Sequence, residues 1–358
     1  MKVVLAGDWH SKIHEVPLAI ALEKAGANVI PFKWYPYFSG GSRPIHKFCR
    51  RFQNKYLIGP IVSKLNDDLV ELVREHLPEV LFIYRGTHIL AATIRQIRQI
   101  FPQIIVVAYN NDDPFSPEAS PLLWRHFNAS LPILDIAFAY RHKNLKDFEL
   151  AGSPRSELLR SWFIPEVNRP VGPSNQDVEK YGGDIVFIGH FEDDGRDEAL
   201  ARLLEQGINV RLFGHIESGS SGWGKIISKH KVFSKLKDVR PLWGDEYNLA
   251  LNCSPMALCF LSKLNRDTYT RRCFEIPAAG TILVSERTSD LESLFESGEE
   301  ALFFSSPEEL VAKVTGLKGD ANRIRKMRER ILSRVWADGH DIYSRGRYVM
   351  ELLGGISR

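Results

Sequence analysis

The sequence predicts an α/β protein built from two doubly wound domains. Short apolar runs of strand type alternate with longer patterned runs of helix type along most of the chain, and this alternation is typical of parallel sheets covered by helices on both faces. A proline-rich segment at 165–175 interrupts the alternation. It has the composition of an interdomain linker, so we expect a first domain at 1–165 and a second at 166–358.

The elements of each half follow from hydrophobic periodicity and from glycine stop signals. In the first half the expected strands are 2–6, 28–32, 80–84, 104–108 and 133–139, and the expected helices are 13–25, a helical stretch up to His76, 89–100 and 121–127. In the second half the expected strands are 185–188, 209–213, 258–261 and 282–284, and the expected helices are 197–206, 245–251, one starting at Arg271, 307–315 and a last helical segment at 338–353.

Bulk composition excludes several classes of protein. With 44% hydrophobic and 25% charged residues over 358 positions, the chain has ordinary globular composition. A net charge of +3 is too small to indicate a nucleic-acid partner. We expect a soluble cytoplasmic protein, because no apolar run approaches the roughly 18 residues of a membrane helix and the four cysteines lack C-x-x-C spacing.

The segment 271–285 carries the clearest functional signal. It reads RRCFEIPAAGTILVS, which predicts a helix that stops at Gly280 and leads into a buried strand. Arginines and a glutamate at the start of this helix suit a nucleoside diphosphate, because a guanidinium group binds phosphate oxygens and a carboxylate accepts hydrogen bonds from ribose hydroxyls. The alternative is an amphipathic helix with solvated charges.

This segment resembles the donor-binding helix of GT-B glycosyltransferases and, more narrowly, the CgeB-like (spore-maturation-type) group among the glycosyl transferases of group 1. The shared pattern is R-x-F-E-I-x-A-x-G from Arg272 to Gly280, preceded by F-I-G ending at Gly189 and followed by Gly298-Glu-Glu ahead of two phenylalanines. The resemblance covers roughly residues 160–353. It implies a GT-B fold, with two Rossmann-like domains facing a cleft and a C-terminal helix that crosses back to the first domain.

The resemblance also implies a set of donor-binding residues. Glu275 would bind the ribose, Arg196 and Arg272 would neutralise the diphosphate, Gly189 would let the backbone approach it, and Gly280 would form the turn below. Asp267 lies eight positions before Glu275, where many retaining GT-B enzymes carry a glutamate. A plain loop role is the alternative for Asp267, and surface ion pairs are the alternative for the arginines.

The implied activity is transfer of a sugar from a nucleotide-diphosphate donor to a hydroxyl acceptor on a glycan, a lipid-linked molecule or a protein. No strict D-x-D motif occurs, so we expect no metal and no other cofactor. Two alternatives stay open on the same scaffold. One is a nucleotide-sugar epimerase or hydrolase, and the other is a non-catalytic module that binds a nucleotide or glycan.

Four residues are candidates for the catalytic base. Asp8 and His10 follow the first strand, whereas Asp112 and Asp113 follow the expected strand at 104–108. The carboxyl ends of parallel strands share one edge of a sheet, where a base could reach the acceptor hydroxyl. A transferase that retains the sugar configuration would need no dedicated base.

Two other motifs resemble known sites but lack essential parts. The segment 219–225 has the spacing of a phosphate-binding Walker A loop, but Ile226 stands where a Ser or Thr would coordinate magnesium. Asp8-Trp9-His10 resembles the first element of metallophosphoesterases, but the chain has no later Gly-Asn-His triplet.

The segment 43–64 is basic and contains no acidic residue. Phe48, Phe52 and Tyr56 recur every four positions within it, which on a helix forms an aromatic stripe beside basic side chains. The stripe could pack into the domain core. The alternative is a peripheral contact with anionic lipid or with a lipid-linked acceptor.

Overall fold

The structure, a computed structural model, describes residues 1–40, 44–217, 222–229, 231–236 and 238–356. Arg43 of the basic segment and residues 219–221 of the Walker-like segment lie outside this described part. The chain divides into two compact units, one made of Met1–Ser161 with Ile342–Arg358 and the other of Trp162–Asp341.

The first unit contains a six-stranded, wholly parallel sheet in the order β2-β1-β3-β4-β5-β6. Its strands are β1 (Lys2–Gly7), β2 (Asn28–Lys33), β3 (Val80–Tyr84), β4 (Ile105–Asn110), β5 (Ile136–Ala139) and β6 (Ser156–Leu158). Its first seven helices are α1 (Glu15–Lys24), α2 (Tyr35–Phe38), α3 (Pro44–Tyr56), α4 (Pro60–His76), α5 (Ala91–Ile100), α6 (Pro121–Ser130) and α7 (His142–Leu150).

The second unit contains a five-stranded parallel sheet in the order β11-β10-β9-β7-β8. Its strands are β7 (Ile185–Ile188), β8 (Val210–Phe213), β9 (Met256–Cys259), β10 (Ile282–Glu286) and β11 (Leu302–Phe304). Its helices are α8 (Asn175–Tyr181), α9 (Arg196–Glu205), α10 (Gly224–Lys229), α11 (Gly244–Asn252), α12 (Arg272–Ala278), α13 (Ser289–Leu294), α14 (Pro307–Leu317) and α15 (Ala321–Ala337).

The central strands of both sheets are almost entirely apolar because both faces are covered. Every residue of β3, β4, β7 and β9 is buried, and continuous apolar runs of this kind are characteristic of parallel strands under helices on both sides. The sequence therefore predicts these strands well.

The C-terminal helix α16 (Ile342–Gly354) belongs to the first unit, as the resemblance implies. It packs against α1, where a Cβ atom on Gly346 would lie only 2.8 Å from atoms of Ala21. The absence of a side chain at Gly346 thus lets the two helices approach closely. The ammonium group of Lys24 lies 3.7 Å from the ring centre of Tyr343 and strengthens the same contact.

The helical stretch expected up to His76 is three helices, α2, α3 and α4. The last break comes at Gly59, which has φ +106°, and at Pro60, which begins α4. Proline at the first helical position costs no hydrogen bond, whereas it would break a continuous helix.

Helix α3 does not contribute to the core, because none of its residues is buried. Phe48 and Phe52 are 64% and 44% exposed. The interpretation that the aromatic stripe packs into the domain core is therefore wrong. Within the described ranges, no helix combines the length and the apolar composition that a membrane crossing requires.

Candidate functional site

The carboxyl edge of the second sheet contains the predicted donor-binding segments. Strand β7 lies between β8 and β9 in the sheet, so the chain reverses its direction of winding there. Ligands of doubly wound folds bind at such a switch point, beyond the carboxyl ends of the strands. The loop 189–195 follows β7, and the loop 260–271 follows β9 and leads into α12.

Hydrogen bonds fix the loop 260–271 at this edge. The Leu261 N–H donates to Glu286 Oε2 at 2.7 Å, and the Thr268 hydroxyl donates to Asp290 Oδ2 at 2.7 Å. Lys263 Nζ donates to the backbone oxygen of Asp194 at 2.9 Å and so connects the two loops. The start of α12 is thereby held in place.

Packing orients α12 with its polar residues away from the core. Phe274 and Ala278 are fully buried, and the Phe274 ring stacks on His340 with 4.4 Å between ring centres. At the start of the helix, the Cys259 and Cys273 sulfur atoms lie 3.8 Å apart in the buried space below the loop.

Glu275 is held from two sides. Its Oε1 accepts a hydrogen bond from Arg271 Nε at 2.6 Å, and its Oε2 accepts one from the Tyr247 hydroxyl at 3.0 Å. The side chain is 12% exposed. Burial, together with the neighbouring Glu275 carboxylate, raises the pKa of Tyr247 well above its usual value, so its hydroxyl stays protonated and donates. Each carboxylate oxygen keeps a lone pair for a ligand hydroxyl.

Arg272 forms no direct ion pair. Among the residues that the structure describes, its guanidinium group forms no hydrogen bond and no ion pair. Burial disfavours its charged form, but Tyr247, Cys259 and Glu275 nearby outweigh this effect and raise its pKa, so the group stays cationic. A partly buried guanidinium group of this kind has its donors available for an anion.

Arg196 has a different environment from Arg272. Its guanidinium group donates to both carboxylate oxygens of Asp194, at 2.8 and 2.6 Å, and to the His190 backbone oxygen at 2.8 Å. A second carboxylate, that of Glu192, lies 3.4 Å away. Its charge is thus already compensated, so this geometry supports a role in shaping the loop 189–195 and does not support the expected direct contact with phosphate.

Gly189 also has a structural role at this edge. Its N–H donates to Phe213 O at 2.9 Å, and its oxygen accepts from Trp223 Nε1 at 2.8 Å. A Cβ atom there would lie 2.7 Å from the Phe187 ring. The backbone amide of Gly189 is therefore not available to a diphosphate in this structure.

Asp267 and Gly280 lie at opposite ends of the α12 region. Asp267 is half-buried in the loop 260–271, and its N–H donates to Ser262 O at 2.9 Å. Gly280 lies past the far end of α12, where it adopts φ +71° and begins the turn into β10. It is thus at the amino edge of the sheet, away from Glu275, and its role is the turn.

Sequence reasoning missed the two contacts that hold Glu275. Arg271 was counted among the arginines that suit a diphosphate, but it lies four positions before Glu275, and that helical spacing was a signal that the two side chains meet. Tyr247 comes from α11, and no local signal connects it with Glu275, 28 positions later in the chain. The contact arises because α11 and α12 flank β9 in the sequence.

The first unit brings the four acceptor-side candidates to the carboxyl edge of its own sheet. Asp8 and His10 follow β1, Asp112 and Asp113 follow β4, and β3 lies between these two strands. Asp113 is 2% exposed, and its Oδ1 accepts from Asn144 Nδ2 at 2.8 Å and from the Phe115 N–H at 3.0 Å. These contacts give Asp113 a structural role, so it is not suited to be a base.

Asp112 and His10 are both accessible but differ in their contacts. Asp112 forms an ion pair with Arg85 at 3.0 Å. His10 is exposed, and its ring stacks on Tyr35 with 4.5 Å between ring centres. The stack fixes the ring plane of His10. Tyr35 covers a face of the imidazole ring and does not cover the two nitrogen atoms at its edge.

Asp8 is half-buried, and burial raises the pKa of its carboxyl group, although His10 and Arg85 partly oppose this shift. The residues beside these groups have strained backbones. Trp9, two positions after β1, has φ +59°, and Arg85, directly after β3, has φ +68°. Non-glycine residues in this conformation are rare and are concentrated at functional sites.

The described acidic and histidine side chains do not form a metal site. Within the described part of the chain, no group of three His, Cys, Asp or Glu side chains is arranged to hold a metal ion. Of the Walker-like segment, only 222–225 is described, and Gly224 and Lys225 form the start of α10.

Two parallel Rossmann-like sheets with a returning C-terminal helix define the GT-B fold, and solved structures show the same fold. A sucrose-phosphate synthase from Thermosynechococcus elongatus superimposes with a TM-score of 0.71, at 14% identity over 98% of both chains. HepE from Anabaena, solved with UDP and glucose, gives 0.69 at 13% identity over 99% of this chain and 100% of that chain. A trehalose-6-phosphate protein from E. coli, solved with UDP-2-fluoro glucose, gives 0.67 at 12% identity over 100% of both chains.

Residues 196–351 match a family described as glycosyl transferase-like. The match includes Arg196, Arg272 and Glu275 and spans most of the second unit, in agreement with the expected enzyme class. No curated protein matches the chain.

Arg196→Ala should destabilise the second unit strongly. The substitution leaves Asp194 and Glu192 as neighbouring carboxylates without their cation, and breaking a buried ion pair costs about 3–5 kcal/mol. Arg202→Ala is the matched control on the same helix, because Arg202 is 50% exposed and its two ion pairs, with Glu198 and Glu308, both lie at the surface. Urea unfolding followed by circular dichroism measures both. If both variants lost the same small amount of unfolding free energy, Arg196 would not organise the loop 189–195.

Proposed function

We propose that the protein is a glycosyltransferase that moves a sugar from a nucleoside diphosphate donor to a hydroxyl group of an acceptor. The observation that carries the proposal is that two side chains lie together at the carboxyl edge of the second sheet. The guanidinium group of Arg272 forms no ion pair in the described structure, and the carboxylate of Glu275 is held in one orientation. The GT-B fold and the family match support it. The R-x-F-E-I-x-A-x-G pattern further favours the CgeB-like group within this class.

In this proposal Glu275 accepts hydrogen bonds from the ribose hydroxyls. Arg271 and Tyr247 hold its carboxylate in one orientation, so little conformational entropy is lost when the donor binds. UDP is the first nucleotide to test, because HepE and the E. coli relative were solved with UDP or a UDP-sugar.

Arg272 stabilises the leaving diphosphate. Negative charge accumulates on the departing nucleotide as the glycosidic bond breaks, and a fixed cation at that position lowers the barrier. We propose that this charge serves in place of a divalent metal ion and that no further cofactor takes part. The acceptor is a hydroxyl group on a glycan, a lipid-linked molecule or a protein.

Asp8 and His10 are the proposed candidates for the base that activates the acceptor hydroxyl. Asp112 is a weaker candidate because its carboxylate already pairs with Arg85. The raised pKa of Asp8 makes its carboxylate a stronger base than an ordinary aspartate. The peripheral membrane contact expected for 43–64 is independent of this chemistry.

Arg272→Gln should weaken UDP binding by about 10- to 150-fold, since a hydrogen bond to a charged group contributes roughly 1.5–3 kcal/mol. Glu275→Gln should weaken binding of UDP more than binding of inorganic diphosphate, because it removes only the ribose contact. Isothermal titration calorimetry measures both constants. Arg325→Gln is the control, since this arginine is 59% exposed and pairs only with Glu329 on the surface of α15. Unchanged affinity in the Arg272 and Glu275 variants would refute the donor site.

His10→Ala should lower kcat by about 100- to 10,000-fold while leaving the affinity for UDP intact, if His10 is the base. Asp8→Asn should lower kcat in the same way if Asp8 is the base. The apparent pKa of the acidic limb in the wild-type profile of kcat against pH should then be higher than the usual aspartate pKa. Stopped assays of donor turnover with an acceptor distinguish the two. His76→Ala on α4 is the control. Full turnover in both variants would remove a dedicated base from the mechanism.

A further inference from the structure

Helix α3 presents its apolar side to solvent. Ile45, Phe48 and Phe52 are 62%, 64% and 44% exposed. At 100° per residue these three positions fall on one face of the helix, and the Phe48 and Phe52 rings lie 6.4 Å apart. Just beyond the helix, Ile58 is also exposed, at 52%.

The opposite face of α3 is polar and is tied to the first unit. Arg50 donates to the backbone oxygens of Tyr37 at 2.6 Å and Ser39 at 3.0 Å. Gln53 accepts from the Ile61 N–H at 2.8 Å. A helix fastened through its polar face cannot rotate to bury its apolar face without losing these bonds.

A third contact joins the polar face of α3 to a buried side chain of the first unit. Asn54 Oδ1 lies 2.8 Å from Nε2 of His88, which is 9% exposed. Burial lowers the pKa of His88 to about 3, and Arg85 and His126 add to the effect. The ring is therefore neutral at physiological pH, and its Nε2–H can donate to Asn54 while Nδ1 accepts from Thr87. The outward orientation of the aromatic face is thus part of the fold.

The charges of α3 indicate what this face meets. The helix contains Lys47, Arg50, Arg51 and Lys55 but no acidic residue. Lys47, Arg51 and Lys55 are exposed and form one i, i+4 row, in which Arg51 and Lys55 flank the apolar face and Lys47 lies further round the helix. A soluble partner helix would match the apolar face alone, whereas an anionic lipid surface matches both the apolar face and the basic flank.

We propose that α3 binds the surface of a bilayer that contains anionic phospholipids. The helix lies in the plane of the membrane, with Ile45, Phe48 and Phe52 among the lipid headgroups and acyl chains. Lys47, Arg51 and Lys55 meet the lipid phosphates. This inference rests on the first unit alone and goes beyond the proposed transfer reaction, so either can fail without the other.

The chain supplies its own probe of this contact. Cys49 is exposed on α3, whereas Cys253, Cys259 and Cys273 are buried, and burial raises the pKa of Cys253 to about 11. A maleimide dye should therefore label Cys49 selectively. Its emission should shift to the blue when vesicles of phosphatidylcholine with phosphatidylglycerol are added, and it should not shift with phosphatidylcholine alone.

Two variants test the two parts of the surface by vesicle co-sedimentation. Changing Lys47, Arg51 and Lys55 together to Gln should weaken binding by roughly 100-fold, because each basic side chain contributes about fivefold. Changing Phe48 and Phe52 to Ser should weaken it by at least about tenfold. Thermal unfolding and UDP affinity should stay at the wild-type values, since these side chains are exposed.

Matched controls carry the same changes elsewhere. Changing Lys143, Lys146 and Lys326 together to Gln removes the same charge from exposed positions on other helices. Changing Leu77 and Leu150 to Ser removes exposed apolar side chains that are 61% and 78% accessible. Both controls should bind vesicles like the wild type.

Three results would overturn the proposal. One is no binding to anionic vesicles, and another is equal binding to neutral and anionic ones. The third is a stable dimer in analytical ultracentrifugation that dissociates in the Phe48→Ser, Phe52→Ser variant, with no vesicle binding by the wild type. That result would assign the face to a second copy of the chain.

Discussion

The double restraint on the Glu275 carboxylate is the interaction on which the donor site depends. A carboxylate near a protein surface ordinarily samples several rotamers, and ordering it on binding has a cost in entropy. Here Arg271 holds one oxygen and Tyr247 holds the other before any ligand arrives. The restraint in turn requires α11 and α12 to be correctly placed. That placement follows from the packing of α12 on β9 and of α11 on β7, and from the stack of Phe274 on His340.

Arg196 and Arg272 show that charge alone does not identify a ligand-binding residue. Both arginines lie in the segment 196–351 that matches the glycosyl transferase-like family, and both belong to the same unit. Arg196 is surrounded by Asp194 and Glu192, whereas Arg272 forms no direct ion pair in the described structure. Only the second arrangement leaves a positive charge for a diphosphate. The difference arises from acidic residues placed two and four positions before Arg196.

The central strands and the GT-B fold could be predicted from sequence because their signals are local. Continuous apolar runs identify buried parallel strands, and the glycine after α12 marks the turn into β10. The long helix α15 was not predicted, because its sequence ANRIRKMRERILSRVWA is mostly charged and only Met327, Ile331 and Val335 are buried. The expected domain boundary between 165 and 166 stays a prediction. In the structure the chain passes from the first compact unit to the second between Ser161 and Trp162.

The site residues that sequence could not assign depend on contacts distant in the chain. Tyr247 reaches Glu275 only through the fold, and the carboxylate of Asp113 is occupied by Asn144, 31 positions later. The orientation of α3 was also invisible, because the helical period defines an apolar face without saying whether it points inward. The hydrogen bonds of Arg50, Gln53 and Asn54 decide that question.

The most direct test of the donor site is a crystal structure of the protein with UDP. The account predicts that the diphosphate lies within hydrogen-bonding distance of the Arg272 guanidinium group and that the ribose hydroxyls donate to the Glu275 carboxylate, with Arg271 and Tyr247 still in place. A nucleotide bound elsewhere, with Arg272 and Glu275 making no contact to it, would contradict the account.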